Sequence, residues 1–203
     1  MGKRIFDVAI AVLSLVVLSP LLAIVALLVK FDSAGPILYR GMRAGKGGTP
    51  FHIYKFRTMV ADAAARGAGI TAQDDPRVTR MGRFLRLTKV DELPQLLNVL
   101  RGEMSLVGPR PEDPRYLKYY TPAQCALLDV LPGITSSASI TFRHEESLLR
   151  GADWERMYIE TVLPRKLDIE LAFLQRRTFR SDMDILLRTA IAVFDRGEQK
   201  DAP

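Results

Sequence analysis

From Ile5 to Val29 the chain reads IFDVAIAVLSLVVLSPLLAIVALLV, with Asp7 its one charge. At about 1.5 Å rise per residue, such a run reaches across a bilayer core of about 30 Å. Pro20 divides it, because a mid-helix proline removes a hydrogen bond and crowds the preceding turn. Neither part alone attains the roughly 20 residues a crossing needs. Ser19 stands beside the break, where its hydroxyl can satisfy a freed carbonyl. Lys3 and Arg4 precede the run and Lys30 follows it, so positive charge gives no crossing direction. Two shapes remain: a kinked transmembrane helix, and a helix–break–helix hairpin that dips in and returns to the cytoplasmic face. A core helix of a soluble domain fits least, since nothing polar recurs along any face. A signal peptide fits poorly, because the run is too long and Gly35-Pro36 stands where a small-residue cleavage site belongs.

Beyond Lys30 the pattern changes. Pro36–Arg43 and Pro50–Met59 alternate enough to predict two short strands around the Gly45–Pro50 turn signal. Residues 61–78, with Gly67, Gly69 and Asp75-Pro76, read as a polar loop. Thr79–Lys89 predicts an amphipathic helix, with Arg80, Arg83 and Arg86 on one side and Met81, Phe84, Leu85 and Thr88 on another. Asp91–Leu100 predicts a second helix that admits Pro94 in its first turn and closes at Gly102. Met104–Pro111 is an apolar stretch ending in a rigid Pro-Arg-Pro loop. Further helices are predicted near Pro122–Val130, Asp153–Val162, Pro164–Arg177 and Asp182–Phe194. Trp154, Tyr158, Phe173 and Phe179 suit either a membrane interface or an ordinary core.

Composition narrows the classes. At 203 residues, 48% hydrophobic and 26% charged, the chain is one globular domain with at most a short attached segment. One cysteine, Cys125, excludes an internal disulfide framework, and two histidines, His52 and His144, make a zinc site improbable. The net charge of +6 favours an anionic partner, whether nucleic acid, phosphate-bearing substrate or anionic lipid.

Several side chains are candidates for chemistry. Asp91 and Glu92 open a predicted helix, where they serve as cap and dipole partner, or as a nucleophile and a Mg2+ ligand kept ionised by the helix terminus and Arg86. Arg110, between Pro109 and Pro111, is a stiffly mounted cationic fork suited to phosphate oxygens, or a surface turn. Lys55 and Arg57 alternate out of a predicted strand towards one side, where they require an anion or carboxylate between them. Asp74-Asp75-Pro76 is a metal pair or, more commonly, a turn. No Walker-type phosphate loop, dinucleotide-binding glycine fingerprint or nucleophile elbow is present.

Taken in order, Ser19-Pro20, YKFRTM at 54–59, DDPRVTRMGRFLR at 74–86, DELPQLLNVLRGEMSLVGPRP at 91–111 and PGIT at 132–135 resemble the bacterial sugar transferases, the monotopic phosphoglycosyl transferases. The resemblance covers almost the whole chain, at a length similar to the family's minimal catalytic unit. It implies transfer of a sugar-1-phosphate from a UDP-sugar to membrane polyprenol phosphate, with UMP as the other product and Mg2+ as cofactor. Asp91 matches the family's nucleophile and Glu92 its acidic partner at the metal site. Arg86 and Arg110 match phosphate-linked positions, and Lys55 and Arg57 join them as candidate phosphate contacts. Ser19-Pro20 matches the family's break, which favours the re-entrant hairpin. The chain departs from the family after PGIT, where many members have Gly, a small or apolar residue and Ala-Gln-Val. Here SSASITFRHEE, with Ser136, Ser137 and Ser139, puts sugar or nucleotide specificity in question and leaves the reaction class untouched.

The expected architecture is α+β and mainly helical: a re-entrant anchor over 1–32, a catalytic domain with interfacial amphipathic helices and a small β element over 33–197, and a disordered tail over 198–203. The expected setting is the cytoplasmic face of a bacterial inner membrane, in contact with anionic phospholipid. Nucleic acid is not an expected partner, and a homodimer is admissible. Two competing readings are a glycosyltransferase that releases UDP and a non-catalytic basic membrane adaptor, which would leave Asp91, Glu92 and Arg110 without a role.

Overall fold

A single helix, α1 (Gly2–Asp32), takes up the whole apolar run in the computed structural model, which describes residues 2–63, 75–143, 145–149 and 153–194. Gly67, Gly69, Asp74, His144 and the 198–203 tail lie outside these residues. Pro20 sits inside α1 and not between two elements. A helical residue 20 with an N–H would donate to the Val16 carbonyl; the Ser19 hydroxyl donates there instead, at 2.8 Å. One stripe of α1, Asp7, Ala11, Val25 and Val29, is buried, at spacings that keep it on one face. The opposite side exposes Val16, Val17, Ile24, Leu27 and Phe31. The lack of any polar face is thereby explained: α1 is apolar towards the body and apolar away from it.

After α1 come β1 (Leu38–Ala44) and β2 (Pro50–Phe56), an antiparallel hairpin in which Leu38 faces Phe56 and Ala44 faces Pro50. The reversal uses Gly47 and Gly48 at φ 68° and 72°, a left-handed backbone open to glycine. Both strands match the predicted pair with trimmed ends. The basic amphipathic helix forms as α2 (Arg80–Thr88), its start capped by Thr79 Oγ1, which accepts from the Gly82 N–H. The predicted helix at 91–100 is replaced by a 3-10 turn, Val90–Gln95, followed by α3 (Leu96–Arg101). Pro94 supplies no N–H for a regular first turn. Gly102 ends α3 at φ 84°, as its place after the last apolar residue predicts.

The apolar stretch after Met104 gives β3 (Ser105–Val107), which pairs in parallel with β4 (Gly133–Thr135). Short helices α4 (Ser137–Thr141), α5 (Glu145–Leu148) and α6 (Trp154–Met157) follow, the last continuing through a π-turn, Tyr158–Val162, into α7 (Leu163–Gln175) and then α8 (Phe179–Phe194). The helix expected near Pro122–Val130 is a 3-10 turn, Gln124–Asp129. Tyr158 is buried, Trp154 and Phe173 pack against cores, and Phe179 is exposed with its ring edge-on to Phe6.

Both ends of α1 rest on this same body. Ala11 joins a core with Phe51, Ile53, Val99 and Met104, while Val25 and Val29 pack with Phe56 and Leu85. Asp7 is buried where Ser105 Oγ donates to it at 2.7 Å and Lys3 lies 3.3 Å away. Lys3 also pairs with Asp182 at 3.0 Å, and Arg177 with the same carboxylate at 2.9 Å, tying the start of α1 to β3 and α8.

Candidate active site

The acidic pair is delivered by an abrupt change of direction. Lys89, after α2, adopts φ 58°, the left-handed region that costs a non-glycine residue about 1–2 kcal/mol. The chain then turns back so that the 3-10 turn Val90–Gln95 packs on β2. Asp91 is buried there, and Glu92 faces two cations brought by other elements. Lys55, from β2, places Nζ 2.8 Å from Glu92 Oε1. Arg110 donates to the same oxygen from Nη2 at 2.7 Å and to Oε2 from Nη1 at 3.3 Å.

Arg110 is mounted where two backbones cross. A Cβ on Gly133 would lie 2.1 Å from the Gly108 nitrogen, so this approach requires glycine. The Gly108 N–H donates to the Thr135 carbonyl at 3.1 Å, and the Gly133 N–H to the Pro109 carbonyl at 2.9 Å. Below the loop, the buried Glu170 accepts from the Arg110 N–H at 3.4 Å and from Ser137 Oγ at 3.5 Å. One of the serines that depart from the family pattern therefore lies behind the arginine loop.

The electrostatics separate the two carboxyls. Burial works against the charged form of Glu92, but Arg110 and then Lys55 outweigh it and hold its carboxyl well below the usual range. Burial likewise pulls the Lys55 ammonium down, against the attraction of Glu92. Glu92 is the main reason that Arg110 is held above its ordinary value. Asp91 behaves in the opposite way. Burial pushes its carboxyl up, Lys55 opposes this, and the Glu92 charge adds to the rise. Arg86 draws the Asp91 carboxyl down, in the direction expected from sequence, but burial is the larger effect.

Of the residues singled out in the sequence, Asp91, Glu92, Lys55 and Arg110 come together. Arg86 stands beside them, its Nε donating to Thr58 Oγ1 at 2.9 Å. That contact depends on Gly82, where a Cβ would lie 2.0 Å from the Thr58 carbonyl oxygen. Arg57 does not share Lys55's role. β2 ends at Phe56, the alternation stops, and the Arg57 guanidinium turns to the end of α1, donating to the Val29 carbonyl at 3.0 Å and to the Ser33 and Pro36 carbonyls. There it satisfies helix-terminal acceptors and favours the negative end of the helix dipole. Ser19 and Pro20 lie within α1, away from these residues in sequence. Asp75 pairs with Arg77 at 2.6 Å, as in a turn.

Thr58, Lys89 and Glu170 were not singled out from sequence. Glu170 had a signal: it stands in phase with Leu163, Leu167 and Leu174 on α7, a charge at an apolar-phase position. Among the described residues, no group of three or more acidic, histidine or cysteine side chains forms a self-sufficient metal cage. Mg2+ typically uses one or two carboxylates plus substrate phosphates and waters. The Asp91-Glu92 donor set fits that mode, because Asp91 Oδ1 is buried without a hydrogen-bond partner and has acceptor capacity to spare.

Glu92→Gln is expected to be a stability variant first. It removes the carboxylate that Lys55 and Arg110 share and leaves two cations facing each other. Breaking a buried pair costs about 3–5 kcal/mol, discounted here because Arg110 is about a third exposed. Chemical denaturation should show a loss of about 2 kcal/mol or more, and an unchanged midpoint would contradict the geometry.

Comparison with known proteins gives a consistent identity. The chain is 40% identical over 192 residues to UDP-glucose:undecaprenyl-phosphate glucose-1-phosphate transferase of Caulobacter vibrioides, covering 92% of this chain and 67% of that protein. It is 43% identical over 183 residues to undecaprenyl-phosphate glucose phosphotransferase of Komagataeibacter xylinus, covering 85% and 34%. It is 40% identical over 141 residues to UDP-N-acetylgalactosamine-undecaprenyl-phosphate N-acetylgalactosaminephosphotransferase of Aeromonas hydrophila, covering 68% and 33%. The chain thus spans about two thirds of the first relative and about one third of the other two. The family model for bacterial sugar transferases matches residues 1–196, α1 and the candidate site together, and the chain belongs to that family.

Proposed function

We propose that this chain transfers a sugar-1-phosphate from a UDP-sugar to a membrane polyprenol phosphate, releasing UMP, with Asp91 as a covalent nucleophile. The observation that carries this reading is the division of labour within Asp91-Glu92. Glu92 is neutralised by Lys55 and Arg110, while the Asp91 carboxylate beside it forms no ion pair among the described residues. An Asp91 oxygen attacks the sugar-bearing phosphorus, the bond from that phosphorus to the bridging oxygen breaks, and UMP departs with the electron pair. Polyprenol phosphate then attacks the phosphosugar held on Asp91 and frees the carboxylate. Splitting one transfer into two is the usual benefit of a nucleophilic side chain. Lys55, Arg86 and Arg110 supply fixed positive charge where the phosphoryl and leaving oxygens gain negative charge. When bound, Mg2+ held by Asp91 and Glu92 would add to that neutralisation.

A polyprenol acceptor explains the exposed apolar side of α1. We further propose a monotopic arrangement on the cytoplasmic face of the inner membrane, with Arg80 and Arg83 near anionic head groups. What supports it is that Lys3, Asp7 and Ala11 at one end of α1, and Val25 and Val29 at the other, contact the same body. Single cysteines near Lys3 and near Asp32, with the exposed Cys125 removed, should both be labelled from the cytoplasmic side. Labelling of the first from the periplasm alone would contradict this topology. Pro20→Ala restores an N–H for Val16 and should shift molecules towards a crossing helix.

The nucleotide product tests the reaction class. A panel of UDP-sugars offered with polyprenol phosphate should yield UMP. UDP as the product would replace this reading with a simple glycosyl transfer.

A further inference from the structure

Asp91, Gln95 and Asn98 stand at i, i+4 and i+7 of the segment 90–101, and all three are buried, with exposures of 6%, 1% and 0%. The 3-10 turn that holds Asp91 and Gln95 packs on β2, and Asn98 bonds to the same strand. At the Asn98 end these polar groups are fully engaged. Asn98 Nδ2 donates to the His52 carbonyl and to Glu103 Oε2, both at 2.7 Å, and Asn98 Oδ1 accepts from the Tyr54 N–H at 3.0 Å. Nearer the acidic pair the engagement stops. Among the described residues, Gln95 Nε2 and Asp91 Oδ1 are both buried with no hydrogen-bond partner.

The two atoms are complementary, one a donor and one an acceptor, on residues whose backbones are offset by about 6–8 Å along the segment. A buried amide left unpaired costs about 1–3 kcal/mol, and native proteins retain few such groups. Packing alone would be served as well by methionine or leucine at position 95. Hydrogen bonds within catalytic groups are often long before substrate arrives and tighten in the reacting complex.

We infer that Gln95 is a positioning residue for the reaction proposed above: its amide donates to the inner oxygen Oδ1 of Asp91, directly or through one water, once substrate is bound. The terminal torsion of an aspartate is broad and roughly two-fold. Fixing the inner oxygen selects one orientation and presents the outer oxygen to phosphorus, the kind of alignment that intramolecular reactions reward. Each carboxylate oxygen has two lone-pair directions, so this bond leaves room for a cation on the same group.

The inference rests on Asp91 being the nucleophile, and the test separates the two ideas. Gln95→Met keeps the volume and removes the amide, and Gln95→Leu serves the same purpose should the first variant fold poorly. With full-length protein in nanodiscs and the most active UDP-sugar of the panel, kcat for UMP release should fall by about 10- to 100-fold. KM for the UDP-sugar should stay within about twofold, and Tm should stay close to wild type or rise, because the Nε2 removed is buried without a partner. A packing role would lower Tm and activity together. In parallel, the Gln95 side-chain 15N–1H resonances, recorded with UMP and Mg2+ present, should move in Asp91→Asn. A wild-type kcat in both Gln95 variants, or amide resonances that Asp91→Asn leaves in place, overturns the inference. Absence of UMP release by the wild-type chain would defeat the reaction assignment instead, while the amide resonances would still decide whether Gln95 holds Asp91.

Discussion

Asp91→Asn should fold and turn over at least about 10^3-fold more slowly than the wild-type chain, because removal of a covalent nucleophile leaves only binding and charge stabilisation. Asparagine preserves the size of the side chain, and the Val90–Gln95 turn has no side-chain cap to lose. Burial already raises the Asp91 carboxyl, so a neutral amide there does not forfeit a stabilising charge, and Tm should hold or increase. This separation of stability from turnover is the signature of a chemical role. A variant that unfolds would make Asp91 a structural residue of that turn.

Arg110→Lys should lower kcat by about 10^2-fold, the scale seen when one fixed donor to developing negative charge is lost. The guanidinium reaches both Glu92 oxygens at once, from Nη2 at 2.7 Å and Nη1 at 3.3 Å. An ammonium makes one such contact and loses the planar fork while retaining charge. Glu92 therefore stays neutralised and the fold should persist, with Tm close to wild type. Wild-type kinetics in this variant would remove Arg110 from the reaction and leave it as the structural partner of Glu92.

How far the chain was legible depended on how local each signal was. The β1–β2 hairpin and α2 were readable because turn glycines, alternation and the Thr79 cap lie within a few residues of what they determine. The acidic pair and the Pro-Arg-Pro loop were readable as candidates, and the structure brings Glu92 and Arg110 together with Lys55. Arg57 was misread because strand alternation was extended one residue past Phe56, where β2 ends and the side chain turns to the α1 terminus. The β3–β4 pairing was not legible: two three-residue strands show no period, and the requirement lies in Gly108 and Gly133 touching across the fold. Pro94 was admitted to the first turn of a helix, and that turn is 3-10, with regular helix starting only at Leu96. Gln95, in an apolar run, gave no sign that it would be buried without a partner beside Asp91.

The central claim is that Asp91 carries the phosphosugar. Wild-type chain and Asp91→Asn, incubated with UDP-sugar labelled in its β-phosphate and without polyprenol phosphate, decide it. Wild type should retain protein-bound label, added polyprenol phosphate should chase it into lipid, and Asp91→Asn should retain none. Equal labelling of the two proteins, or normal turnover by Asp91→Asn, would contradict the claim.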